Sequence, residues 1–303
     1  MHILLIFLDG VGIGNADPKN NPFFAARYET LHAILGGTMP SRKNGFIETK
    51  HAICIPLNAT LGVEGLPQSG TGQATLYTGI NCAKLIGKHF GPHLYSTLKP
   101  IVATQNIFSK IQGLDSGFSC ALANAFPKKF FDYISGEKPR AIAGVFAAMS
   151  AGIELRSIRH LQEGSAISTD ITAARWRQIG HPEATSISAY EAGKRLARLS
   201  RQHHFTLFEI FFTDKAGHER SMENAVAMLH DIDELLAGTI DHCGDTHIIV
   251  TSDHGNIEDL STKSHTRNRV PGIIIGEKKR IVAQQLCSVE DLTPVILNTL
   301  QSP

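Results

Sequence analysis

Three aspartates each follow a strongly apolar run: Asp9 after ILLIFL, Asp214 after FTLFEIFFT and Asp253 after THIIVTS. Histidines accompany two of them. TDKAGH sets His218 four residues beyond Asp214, a spacing at which both side chains can turn to one ion at a loop or a helix start. SDHGN sets His254 beside Asp253 where the chain is turning, and KSHTRNRVPG offers His265 in a polar loop before the next apolar run. Imidazole and carboxylate donors together suit a divalent cation. Three carboxylates gathered at one edge repel each other unless cations neutralise them, so the pattern predicts metal.

LLIFLDGVGIGN also invites another reading, a glycine-rich loop around a nucleotide's phosphates. The fingerprint G-x-G-x-x-G fails, because Gly14 comes one residue early after Gly10 and Gly12, and no G-K-[ST] follows. Asp9 would sit where a pyrophosphate approaches, an unfavourable place for a carboxylate. The glycines are better explained by a tight turn that lets Asp9 reach a metal. A dinucleotide-dependent oxidoreductase would need NAD(P) binding that survives Asp9→Asn. A metal pair instead suits phosphoryl or sulfuryl transfer. Candidate nucleophiles are Ser69 and Thr71 in LPQSGTGQATLYTG, a small-residue turn ahead of a helix expected at 73–80. Helix-start N–H groups would help hold an anion there, although either hydroxyl could instead be an N-cap.

The elements that must position these residues alternate. Strands are expected at 3–8, 119–126, 205–214, 246–256 and 270–276. Helices are expected at 73–80, at 93–112 with a kinking interior proline, at 189–202, at 221–244 and at 289–300; Ser221 caps the fourth and Gly244 lies past its end. Such alternation predicts an α/β fold, doubly wound and mostly parallel, with helices on both faces and functional residues outside the carboxyl ends of the strands. Periodicity fades between 127 and 187, which reads as a small cap inserted into a core of 1–126 and 188–303. Arg140, Arg156, Arg159, His160, Arg175 and Arg177 would make that cap an anion-binding surface or a solvated face.

Composition narrows the classes. Of 303 residues 42% are hydrophobic, and a net charge of +1 gives no basic signature for a nucleic-acid partner or a membrane surface. No run approaches the roughly 18 apolar residues of a membrane span. The run Ile3–Leu8 is too short for a signal h-region and lacks a basic segment before it. Five scattered cysteines without C-x-x-C favour reduced thiols over a disulfide framework or a thiolate metal site. The expected setting is cytoplasmic.

In FLDGVGIG, GLPQSGTGQATLYTG, TDKAGH, TSDHGNIED, HTRNRVPG and the DLTPVILNTL tail, in this order, the chain resembles the alkaline phosphatase superfamily. It is most similar to the cofactor-independent phosphoglycerate mutase, or metalloenzyme, branch. The resemblance implies an alkaline phosphatase-like fold with a nucleophile ten residues before the glycine of a Thr-Gly turn. With that turn at Thr78-Gly79, it selects Ser69 over Thr71. It further implies two divalent ions, Zn2+ or Mn2+: one held by Asp214, His218 and His265, the other by Asp9, Asp253 and His254 with Ser69 Oγ. Three carboxylates against two such ions leave a net positive charge suited to a phosphate dianion, and coordination would lower the serine hydroxyl's pKa.

The expected activity is a two-metal phosphohydrolase or phosphotransferase acting on a small phosphate ester through phosphoserine at Ser69. Mutases of the family carry a large, arginine-rich inserted domain that excludes water. The short insert here lets hydrolysis compete, with a small phosphomutase as the alternative. A phosphodiesterase, a sulfatase (disfavoured by the absence of C/S-x-P-x-R) and a catalytically silent metal-binding protein are further alternatives. Lys215, His89 and Arg267 are candidates for phosphate contact, each with plain surface charge as the competing reading.

Overall fold

The computed structural model describes residues 1–114, 117–136 and 142–302. Its strands are β1 (Ile3–Leu8), β2 (Ile47–Glu48), β3 (Ala52–Leu57), β4 (Cys120–Leu122), β5 (Asn124–Ala125), β6 (Ile167–Ser168), β7 (Phe205–Ile210), β8 (His247–Thr251) and β9 (Val270–Ile275). Seven form one sheet in the order β2-β3-β9-β8-β1-β7-β4, and β5 pairs with β6 separately. The β1, β4, β7 and β8 strands run parallel, whereas β9 runs antiparallel to both β8 and β3.

The unbroken apolar run of β1 follows from its central place. Ile3, Leu5 and Phe7 enter one apolar cluster, together with the Ser69–Thr78, Ile107–Gln112, Ala143–Ser150 and Leu292–Gln301 helices. Leu4, Ile6 and Leu8 enter a second cluster, with the Glu29–Ile34, Ala189–Ser200 and Met222–His242 helices. A strand whose alternate side chains enter two cores has no polar face to show. The doubly wound α/β architecture is as the sequence predicts.

Several boundaries differ. The expected 93–112 helix divides into Ser96–Leu98, Lys99–Gln105 and Ile107–Gln112. Pro100 lies at a helix start and bends nothing; the break is at Asn106, whose side chain accepts from Ser109 N at 2.9 Å and caps the next helix. The 119–126 run splits between β4 and β5, which belong to different sheets. β7 stops at Ile210, so Asp214 lies in the helix Phe212–Glu219 and not at a strand end. Ser221 caps the Met222–His242 helix by accepting from Asn224 N, and Gly244 beyond it has φ +61°. Within 127–187, the Ala143–Ser150 helix joins the first apolar cluster. Leu161, Ala166, Ala173, Trp176 and Ala184 form a small third one with Ala125.

The Ala189–Ser200 and Met222–His242 helices cross so closely that a Cβ on Gly193 would stand 2.1 Å from Leu235 O. One on Gly238 would stand 2.0 Å from Tyr190 O. The second of these helices follows the Phe212–Glu219 helix directly, so this crossing anchors the element that carries Asp214. Gly238→Val should force the helices apart and lower the unfolding free energy by about 3 kcal/mol, read as a shifted midpoint in urea. An unchanged midpoint would show that the crossing bears no load. Among the described residues no helix is long and apolar enough to cross a membrane.

Candidate metal centre

β1 lies between β7 and β8, so the segments leaving these three strands emerge side by side at one sheet edge. Asp9 follows β1 directly, Asp253 stands two residues past β8, and Asp214 sits in the first turn of the helix after β7. Because β9 is antiparallel to β8, the loop before it returns to the same edge and brings His265. Asp214 and His218 share one helical face, with His218 Nε2 3.1 Å from Asp214 Oδ2.

Two donor triads result. Asp214, His218 and His265 have ligand atoms within 4.8 Å of one another, and so do Asp9, Asp214 and His254. Asp214 is common to both. Asp253 adjoins the second triad: its Oδ2 is 3.6 Å from His254 Nε2, and its Oδ1 accepts from Gly10 N at 3.3 Å. Gln73 Nε2 straddles Asp9 Oδ2 (3.4 Å) and Asp253 Oδ2 (3.3 Å), while Asn256 Nδ2 donates to Asp214 Oδ1 at 2.6 Å.

The residues fit a divalent cation on two observations. Each histidine turns Nδ1 to a backbone carbonyl: His218 to Lys263 O (2.9 Å), His265 to Pro67 O (2.7 Å) and His254 to Gly255 O (3.4 Å). An Nδ1–H donated outward leaves the Nε2 lone pair directed into the cluster, the orientation a metal-ligating imidazole takes. Second, Asp9 Oδ1 is buried without a hydrogen-bond partner, with His254 Nε2 3.3 Å away. The charges agree. Burial and the Asp253 carboxylate push Asp9 well above its ordinary range, and burial raises Asp253. Burial opposes charge on His254, but Asp253, Asp9 and Asp214 outweigh it and raise it to about 10. Burial and the His254 charge push His265 down to about 4. The metal-free chain thus gathers positive charge onto His254, where a cation would otherwise supply it.

Ser69 opens the Ser69–Thr78 helix, not a turn ahead of it, and its Oγ is 2.9 Å from His254 Nε2. Thr71 points elsewhere: its hydroxyl donates to Gln68 O at 3.2 Å and receives from Phe90 N at 3.1 Å. Gly70 and Gly72 let this helix seat closely, since Cβ atoms there would stand 2.1 Å from His93 O and 2.9 Å from Asp253 Cβ.

The opening glycines divide by role. Gly10 has φ +68°, and a Cβ on it would meet Asp214 Oδ1 at 2.4 Å. Gly12 and Gly14 instead make room for Glu258, which would be 2.2 Å and 2.6 Å from their Cβ atoms. Glu258 is buried, and four donors converge on its carboxylate. Gly12 N (2.8 Å) and Asn256 N (2.7 Å) reach Oε2; Thr266 Oγ1 and Asn268 Nδ2 (2.9 Å) reach Oε1. It ties together the loops that carry Asp9, His254 and His265. Glu258, Gln73 and Asn256 carry no role in the sequence reading; Asn256 closes SDHGN itself, and only the nearness of Glu258 to it and of Gln73 to SGTG could have pointed to the other two. Glu209, five residues before Asp214, is also fully buried; burial pushes it up to about 7 against the hydrogen bond from Tyr77.

The three candidates for phosphate contact bond elsewhere. Lys215 Nζ is 3.7 Å from Glu219 and lies over the Phe212 ring; His89 Nε2 faces Val63 O and Arg267 Nε donates to Gly65 O. Of the cations between 127 and 187, Arg140 lies outside the described residues. Arg156 donates to Leu122 O, Arg159 pairs with Glu163, and His160 closes a capping box with Ser157. Arg177 is exposed. Arg175 stacks 4.2 Å over the ring of Phe212, on the helix that carries Asp214.

A family model described as the Metalloenzyme superfamily matches residues 1–302. The 2,3-bisphosphoglycerate-independent phosphoglycerate mutase of Moorella thermoacetica is 23% identical over 128 residues, 40% of this chain and 25% of that protein. The enzyme of the same name from Methylobacillus flagellatus is 30% identical over 122 residues, 37% of this chain and 24% of its own. The chain thus spans about a quarter of the length of these relatives. Alkaline phosphatase from the Antarctic bacterium TAB5 has the same fold, with a TM-score of 0.55 at 12% identity over 99% of this chain and 98% of that one.

Proposed function

The chain belongs to the Metalloenzyme superfamily, and from that premise we propose that it is a metal-dependent phosphohydrolase acting on a small phosphate ester through phosphoserine at Ser69. The observation that carries this reading is Ser69 Oγ lying 2.9 Å from His254 Nε2, a donor of the Asp9, Asp214 and His254 triad. Two divalent ions, Zn2+ or Mn2+, held by Asp214, His218 and His265 and by Asp9, Asp253 and His254 with Ser69 Oγ, would supply positive charge that stabilises the phosphoryl oxygens and the ionised serine.

The chain's own residues supply the rest. Its helix holds Ser69 at one fixed position, so attack on phosphorus begins from a preorganised geometry. Gln73 and Asn256 hold the carboxylates in place. In the first half-reaction Ser69 Oγ gives up its proton to water and bonds to phosphorus, and the ester's alkoxide leaves, taking up a proton from water. In the second, water loses a proton as it attacks the same phosphorus, Ser69 Oγ leaves and is reprotonated, and phosphate is released. The His218 side chain is 46% exposed and that of Asp214 17%, so the centre opens to solvent on the side of that triad, which supports hydrolysis over return of the phosphoryl group. Likeness to phosphoglycerate mutases favours the second reading, a phosphomutase. Free thiols at all five cysteines accord with a reducing, cytoplasmic setting.

The test is a panel of phosphomonoesters, phosphodiesters and sulfate esters offered to the metal-loaded protein, following both phosphate release and positional isomerisation. Release from monoesters is expected. Isomerisation without release would replace the hydrolase reading with the mutase one, and turnover of neither kind would leave a silent metal-binding protein.

A further inference from the structure

On the β3/β9 side of the metal centre lies a concavity of about 350 Å³ lined by Arg42, Arg267, Arg269 and Asn268, with Ile13 and Pro56 among its other walls. It has no acidic lining, and among the described residues none of the three guanidinium groups forms an ion pair. An adjoining polar hollow contains Asp17, Glu258 and Asp259 and shares Arg42, Arg267 and Asn268 with the bay, whose own lining holds no carboxylate; Glu258 is already met by four donors of its own.

Two of the arginines are fixed without being neutralised. Arg267 Nε donates to Gly65 O at 3.0 Å and Arg269 Nη1 to Pro56 O at 3.2 Å. Each guanidinium has five N–H donors, so most remain free while the carbonyl holds the group in place. On an open surface such groups spread into water. Here three positive charges share one bay, and a multivalent anion would relieve their repulsion while accepting forked hydrogen bonds. The bay also adjoins the reacting centre: Arg267 is two residues past His265, a span of at most about 7 Å of extended chain.

We propose that this bay is a second anion subsite, and that the substrate is a phosphate ester whose alcohol portion carries a second phosphate, held by Arg42 and Arg269 while the first lies at Ser69. This rests on the phosphoesterase reading above and narrows its substrate class to small bisphosphates.

Binding is measured by titration calorimetry on the metal-loaded protein with non-hydrolysable hexane bisphosphonate and hexylphosphonate. Turnover is compared for hexanediol bisphosphate and hexyl phosphate, with butanediol and octanediol homologues to vary reach. The bisphosphonate should bind roughly 10- to 100-fold more tightly than the monophosphonate. In the Arg42→Ala, Arg269→Ala double variant, and in the single exposed-loop variant Arg42→Glu, that ratio should fall to about one. The kcat/KM ratio of the two esters should fall with it. A wild-type ratio near one, or a ratio that both variants leave intact, overturns the proposal. Failure to turn over either ester would count against the phosphoesterase reading instead, since the phosphonate ratio is measured without turnover.

Discussion

Ser69→Ala should abolish phosphate-ester turnover, lowering kcat on the order of 10^3-fold or more, while the chain keeps its fold and still binds divalent metal. The substitution removes one buried hydroxyl at the first position of a helix whose capping residue, Gln68, makes no side-chain cap bond, so helix formation does not depend on it. What is lost is the serine hydroxyl that lies 2.9 Å from the His254 imidazole. The paired control is Thr71→Val. It removes the bonds to Gln68 O and Phe90 N and should cost about 1 kcal/mol of stability with kcat nearly unchanged. The comparison is made by single-turnover kinetics on an aryl phosphate, with metal content measured on the same samples. If activity survives in Ser69→Ala and falls in Thr71→Val, the nucleophile has been misassigned.

Glu258→Gln should have the second-largest effect, and through metal binding, not chemistry. Four donors converge on two carboxylate oxygens. An amide offers one oxygen and turns two N–H donors toward partners that are themselves donors, and each unmet group costs about 1–3 kcal/mol. The Thr266 hydroxyl can rotate and the Asn268 amide can turn to accept, whereas Gly12 N and Asn256 N can only donate, so the amide oxygen must face them and Thr266 and Asn268 must both reorient. The loops carrying Asp9, His254 and His265 should then lose their common brace, and metal affinity should drop about 10- to 100-fold. Chelator competition gives the affinity, and the chelated protein's melting temperature separates loosened loops from global destabilisation. Excess metal should restore most of kcat. A variant that binds metal like the parent would show Glu258 to be a bystander.

The parts of the molecule readable from the chain are those where one local pattern has one cause. An apolar run ending in Asp9 or in THIIVTS-Asp253 reads as a buried parallel strand feeding an acidic loop, because β1 and β8 lie in the middle of the sheet. FTLFEIFFT reads as one strand ending at Asp214 because large apolar residues dominate it, yet Phe211 and Phe212 already belong to the turn and helix that follow β7. β3 went unseen: HAICIPL is short and contains Pro56, and its antiparallel pairing with β9 and β2 is what makes it a strand. Ser69 and Thr71 look alike in SGTG. Helical geometry separates them, sending one hydroxyl to His254 and the other back to Gln68. Gln73, Asn256 and Glu258 were illegible for a deeper reason. A buried polar brace is recognisable only from its partners, and the partners of Glu258 lie two, eight, ten and 246 residues away along the chain.

Gly12 and Gly14 pack against Glu258, and so does Gly255, whose Cβ would stand 2.3 Å from Glu258 Oε1; this has a consequence for how the chain can change over time. A methyl on Gly12 collides with the Glu258 carboxylate, and a shorter acid at 258 would surrender the loops it gathers. Neither position can drift alone. Gly12, Gly255 and Glu258 are therefore coupled through one carboxylate, so the stretch that resembles a nucleotide loop is one half of a lock whose other half lies across the fold.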